Sequence, residues 1–186
     1  ELDRLADGAA FVLGHNLIAF DLPHLAAAQP ELRLLRLPAV DTLRVNPLAF
    51  PRNPYHHLVK HYQDGQLRRV QLNDPLLDAQ LALRLFHDQT RALADTEQCA
   101  PQLMLAWHWL TTGEAQASGM NALFKTLRRA LRPGDDEARA AIIAFVRERG
   151  CATHAAAIAA DAHDAGWSLA YALAWLSVAG GDSVMP

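Results

Sequence analysis

The run Phe11-Val12-Leu13-Gly14 admits one kind of local fold, a buried strand from which the backbone turns away at once. Short apolar runs bounded by a glycine read as strands inside a sheet, and glycine carries no Cβ to resist a sharp exit. His15 and Asn16 follow, then apolar Leu17, Ile18 and Phe20, and then a lone carboxylate, Asp21, ahead of Leu22-Pro23. Open α/β sheets place their chemistry at the carboxyl ends of strands, so an acid at a strand-to-helix junction is a candidate site residue. The plainer reading is a helix-capping Asp after an ordinary buried strand. Phe20 is expected in the core.

Around this stretch the first half alternates short elements. Residues 1–6 have helical spacing, stopped by Asp7-Gly8, and residues 22–29 form a helix broken by Pro30. A second strand is expected over 39–43, with Asp41-Thr42-Leu43 inside it. Pro47, Pro51 and Pro54 make 46–54 an irregular, stiff loop. Residues 55–62 have helical apolar spacing and are rich in histidine. A long helix runs from Pro75 to about residue 95, with Asn73 or Asp74 as cap and Leu77, Leu81, Leu85 and Phe86 as its buried stripe.

The pattern then changes. Helices are expected at 99–112, 118–131, 135–149, 151–164 and 167–180, with Gly113, Gly134, Gly150 and Gly166 as stops. Nothing after residue 97 reads as a strand. The fold class is therefore α/β over 1–96, followed by an all-α region over 97–186, and mostly helical overall.

A chain of 186 residues can bury a sizeable core as one large domain or two small ones. Its net charge of -3 argues against a large nucleic-acid footprint, although it leaves room for a local basic patch. Cys99 and Cys151 lie far apart, which suits reduced thiols in a cytoplasmic, bacterial setting better than a disulfide framework. No apolar run is long enough to cross a membrane. The chain opens at Glu1 in what reads as the tail of a helix and ends at Pro186, as a piece of a longer polypeptide would.

Gly14-His15-Asn16 with Phe20-Asp21 resembles the second motif of the DEDD 3'-5' exonucleases, whose domains have a ribonuclease-H-like fold. The step from Asn16 to Asp21 and the following Leu22-Pro23 are most similar to the proofreading domains of family B DNA polymerases. Val40-Asp41-Thr42-Leu43 resembles the next strand of that superfamily, and Asn73-Asp74-Pro75-Leu76-Leu77-Asp78-Ala79 sits where the third motif belongs. With Asn46-Pro47-Leu48-Ala49-Phe50-Pro51, Asn53-Pro54-Tyr55-His56 and the tail Ser183-Val184-Met185-Pro186, the chain also resembles the amino-terminal region of large bacterial RecQ-type DNA helicases.

The resemblance implies that residues 1–96 are the carboxyl-terminal half of an exonuclease-like domain, and that 97–186 lead toward a helicase motor in the same polypeptide. It implies Asp21 and Asp78 as metal-holding, catalytic acids for Mg²⁺ or Mn²⁺, with single-stranded DNA or DNA ends as substrate. Two such ions, roughly 3.5–4 Å apart, activate a water and stabilise the leaving oxygen. Asn16 would shape the turn or touch the strand backbone, beside His15. The family's first motif, Asp-x-Glu, is absent, so this stretch alone is expected to hold no metal pair and to cleave nothing. Asn73 stands where the histidine subclass has its base, and an amide has no nitrogen to accept the proton. One of His56, His57 or His61 could stand in. A sheet without its first strands would also expose an edge, which invites a homodimer.

Other patterns compete. His57 and His61 lie one helical turn apart, as zinc ligands do, but no third ligand stands at a firm spacing. Trp107 and Trp109, and the series Trp167, Tyr171 and Trp175, read as packing stripes. Lys125, Arg128, Arg129 and Arg132 make a basic edge along one helix, the best nucleic-acid patch of the chain, or else a solvated face balanced by Asp135-Asp136-Glu137. There is no P-loop. Two functions follow, an exonuclease attached to a helicase, or a degenerate nuclease fold kept for DNA binding or docking.

Overall fold

A computed structural model describes residues 1–53, 56, 58, 75–113 and 119–179 of the chain. After helix α1 (Leu2–Leu5) comes strand β1 (Val12–Gly14), then a π-helical turn (Leu17–Asp21) running directly into α2 (Leu22–Ala28). A 3-10 turn (Arg33–Arg36) leads to β2 (Ala39–Asp41), which pairs in parallel with β1 so that Val12 faces Ala39, Leu13 faces Val40 and Gly14 faces Asp41. Among the described residues these are the only strands, and the chain is mostly helical, as expected.

The second strand is shorter than the expected 39–43. Thr42 already belongs to α3 (Thr42–Ala49), because Asp41 caps that helix by accepting the N–H of Leu43 at 3.0 Å. Pro47 lies inside α3, so the part of the expected stiff loop up to Ala49 is helical. The long helix α4 spans Pro75–Cys99, and its deepest residues are Ala82, Gln89 and Leu93. The expected stripe of Leu77, Leu81, Leu85 and Phe86 is only half-buried.

The second half contains α5 (Pro101–Thr112), α6 (Gly119–Arg128), α7 (Asp135–Arg149), α8 (Ala155–Ala160) and α9 (Ala162–Ala179). Gly113 ends α5, Gly134 precedes α7, Gly150 ends it, and α9 is kinked at Gly166, whose φ of 45° suits a residue without a Cβ. Every residue of α5 from Leu103 to Thr112 is buried. A helix buried on all sides sits in the middle of a core, and α4, α6, α7 and α9 surround it.

Trp107 and Trp109 are at 1% and 2% exposure, so their stripe is packing, and each indole N–H has a partner: the carbonyl of Ala170 and the carboxylate of Asp135. The other series is divided, with Trp167 and Tyr171 half-buried and Trp175 at 58% exposure. Residue 96 falls inside α4, and one buried cluster runs across it, from Val40, Val45 and Leu48 to Leu173 and Ala174. Cys99 and Cys151 are free and exposed. Among the described residues, no helix is long and apolar enough to cross a membrane.

Candidate functional site

The chain leaves β1 through Asn16, which adopts a left-handed backbone (φ 61°) that asparagine tolerates better than most side chains. Asp41, at the end of the neighbouring strand and 2% exposed, holds this turn in place. Its Oδ1 accepts the N–H of Asn16 at 2.8 Å as well as that of Leu43, and its Oδ2 accepts the N–H of Ile18 at 3.0 Å. One buried carboxylate thus fixes the exit from β1, the start of the π-turn and the start of α3. A buried charge is tolerable when amide donors replace its water.

His15 ties the same turn to α3. The Leu58 N–H donates to its Nε2 at 3.2 Å, so the proton sits on Nδ1, which donates to Thr42 Oγ1 at 2.9 Å. Thr42 in turn donates to the Gly14 carbonyl at 3.1 Å. Behind it, the fully buried Gln89 of α4 donates to the Thr42 carbonyl and to Asn46 Oδ1, and Asn46 pairs with His56. Both ring nitrogens of His15 are used internally, and its role here is to hold the turn.

The turn presents Asp21 to solvent, at the end of its π-helical segment. Phe20, expected in the core, is 55% exposed and rests on His24 with ring centroids 4.5 Å apart. The extra residue of a π-turn rotates the face that a regular helix would bury. Asp78 lies half-buried in the first turn of α4, a helix that packs on β1. Asn73, His57 and His61 lie outside the described residues.

Among the described residues, no group of three or more His, Cys, Asp or Glu is gathered to hold a metal ion. Hard divalent cations take about six oxygen ligands. Asp21 and Asp78, together with the fully engaged Asp41, are not a two-metal donor set by themselves.

The basic edge is also rearranged. α6 ends at Arg128, and Arg129 takes a left-handed backbone (φ 52°), so Lys125, Arg128, Arg129 and Arg132 do not share one helix face. Lys125 and Arg129 are exposed. Arg128 donates to His108 Nδ1 at 2.8 Å, and Arg132 donates to Thr112 Oγ1 and to the Trp109 carbonyl. Two of the four cations therefore stabilise the carboxyl end of α5, where the helix dipole favours positive charge.

His108 is fully buried, stacked on Phe124 with centroids 5.4 Å apart, and gives its Nε2 proton to Asn121. Burial, and then the positive charge of Arg128, push its pKa down to about 4, against an Asn121 hydrogen bond that works the other way. Between the unfolded value of 6.5 and about 4, the unfolded chain binds more protons, so stability falls as pH falls through that window. The expected loss from pH 7 to pH 4 due to His108 is roughly 3 kcal/mol. Urea unfolding at several pH values, beside His108→Gln, measures it; an equal pH dependence in the variant would show that other groups are responsible.

The fold and site together define a mostly helical protein whose two parallel strands carry a carboxylate-anchored turn at their carboxyl ends. Compared with known proteins, the chain matches no family model, no curated protein and no solved structure.

Proposed function

We propose that residues 11–96 belong to the ribonuclease-H-like, metal-dependent 3'-5' exonuclease domain of a DNA-processing protein of the RecQ helicase type, acting in the cytoplasm on single-stranded DNA or DNA ends. The observation that carries this reading is the parallel pairing of β1 with β2, with the Gly14-His15-Asn16 turn and Asp21 at the carboxyl end of β1. Mg²⁺ or Mn²⁺ would supply the activated water, and Asp21 and Asp78 would be part of a donor set completed by the acids of the Asp-x-Glu motif, which this sequence does not contain. The chain's own contribution is to orient the strand: the Asp41 anchor makes the turn rigid, and Asp21 and Phe20 project from it.

A second reading, a nuclease-like fold kept for binding DNA or docking the helicase motor, is favoured by the exposed, solitary position of Asp21. The test is degradation of a fluorescent single strand by the full-length parent with Mg²⁺ or Mn²⁺, beside Asp21→Ala. The expected result is a loss of about 100-fold or more in rate. The thermal midpoint should not move, because Asp21 is exposed. Equal rates for parent and variant would remove Asp21 from the chemistry, and binding without degradation by either would select the second reading.

A further inference from the structure

A cavity of about 350 Å³ opens beside the strand ends, between the β2–α3 junction, the end of α5 and the kink of α9. Ile18, Ala39, Leu110 and Met120 give it apolar walls, and Arg44 and Trp167 give it a cation and an aromatic ring. Asp41 borders it, but three backbone amides already engage that carboxylate.

Arg44 is held ready for an anion. Its guanidinium lies 5.8 Å from the centroid of the Trp167 ring, and its backbone carbonyl accepts the Tyr171 hydroxyl proton at 3.2 Å. Trp167 and Tyr171 are themselves in contact, with centroids 5.5 Å apart, so one aromatic residue of α9 faces the guanidinium while the other holds the backbone of the same arginine. Arg44 is exposed and makes no ion pair among the described residues. A fixed cation loses less freedom on binding than a free one.

A cavity with apolar walls, an indole and a guanidinium among its lining, and the hydroxyls of Thr111 and Thr112 beside them, suits a ring carrying an anionic group. The volume is at the low end for ligand pockets, about 300–1,000 Å³, which suits one nucleotide and excludes a duplex. Ile18 belongs to the same turn as Asp21, so the cavity and the exposed acid share one end of the sheet. We propose that this cavity is a subsite for one unstacked nucleotide of a single strand, its base against the apolar walls and Trp167 and its phosphate on Arg44. The choice of a nucleotide rests on the DNA-processing reading above.

The test uses the full 186-residue chain, a short fluorescein-labelled oligothymidylate, and two competitors, thymidine 5'-monophosphate and deoxyribose 5-phosphate. Anisotropy should show strand binding that the mononucleotide displaces and the sugar phosphate does not. Arg44→Gln and Trp167→Leu should each weaken both ligands about tenfold. Arg44→Gln keeps the backbone carbonyl that Tyr171 uses, and an unchanged thermal midpoint verifies its fold.

Strand binding that is insensitive to Arg44→Gln and to the mononucleotide would overturn the subsite and leave the DNA reading standing. Arg44-dependent binding of the mononucleotide without any strand binding would overturn the strand as occupant, and with it the DNA reading. Equal competition by deoxyribose 5-phosphate would overturn the placement of the base.

Discussion

Replacing Asp41 with alanine is expected to lower the unfolding free energy by about 4 kcal/mol, because three backbone amides lose a buried, charged acceptor at once. The amides of Asn16, Ile18 and Leu43 all point at the two oxygens of this one side chain. With Asp41 at 2% exposure, little water could replace the carboxylate. Hydrogen bonds to a charged group are each worth about 1.5–3 kcal/mol, but relaxation of the turn would recover part of the sum. Asp41→Asn separates charge from shape. It keeps one acceptor oxygen and sets an NH₂ group against at least one amide donor, so about 2 kcal/mol should be lost. Urea unfolding of both variants measures the effect. A loss below about 1 kcal/mol for Asp41→Ala would mean that the turn does not depend on this anchor. Because the same side chain sets the exit from β1, the variant should also lose strand binding at the Arg44 cavity.

That anchor was only half legible in the sequence. Val40-Asp41-Thr42-Leu43 reads as a continuing strand, and Pro47 argues against a helix so soon after it. The available signal was the Asp-Thr pair itself, since an Asp directly before a helical stretch is an N-cap pattern, and Asp41 does accept the N–H of Leu43. Its other partners lie 25 and 23 residues away and have no local signature. The ends of α5 and α7 were readable because glycines sit at them, whereas Gly166, expected as a stop between two helices, only kinks α9.

The single helix face expected for the basic edge is absent for a related reason. A spacing rule over Lys125, Arg128, Arg129 and Arg132 assumes an unbroken helix, whereas the chain turns left-handed at Arg129. Arg128 and Arg132 then find partners on α5, 20 residues back in each case for His108 and Thr112. Phe20 failed through one inserted backbone residue, which no hydrophobic period reveals.

Gly119→Ala is the second large effect expected, and it is steric. Gly119 opens α6 directly against β2, where an added Cβ would lie 2.3 Å from the Ala39 carbonyl oxygen, 2.5 Å from its carbon and 2.7 Å from Val40 Cγ2. Two of these atoms are strand backbone, so no rotamer change relieves the overlap, and either α6 or β2 must move. Overpacking of this kind costs about 1–3 kcal/mol when side chains can yield, and about 3 kcal/mol or more is expected where they cannot. Gly134→Ala is the control, since nothing lies within 4 Å of a Cβ built there. Urea unfolding should show the first variant strongly destabilised and the second close to the parent; similar losses in both would point to glycine's backbone freedom and not to crowding. The displacement should also be felt at the cavity, because Ala39 and Met120 line it on either side of this contact. A Gly119→Ala chain that remains folded is therefore expected to bind the strand more weakly than the parent, although none of its nucleotide-facing side chains has changed.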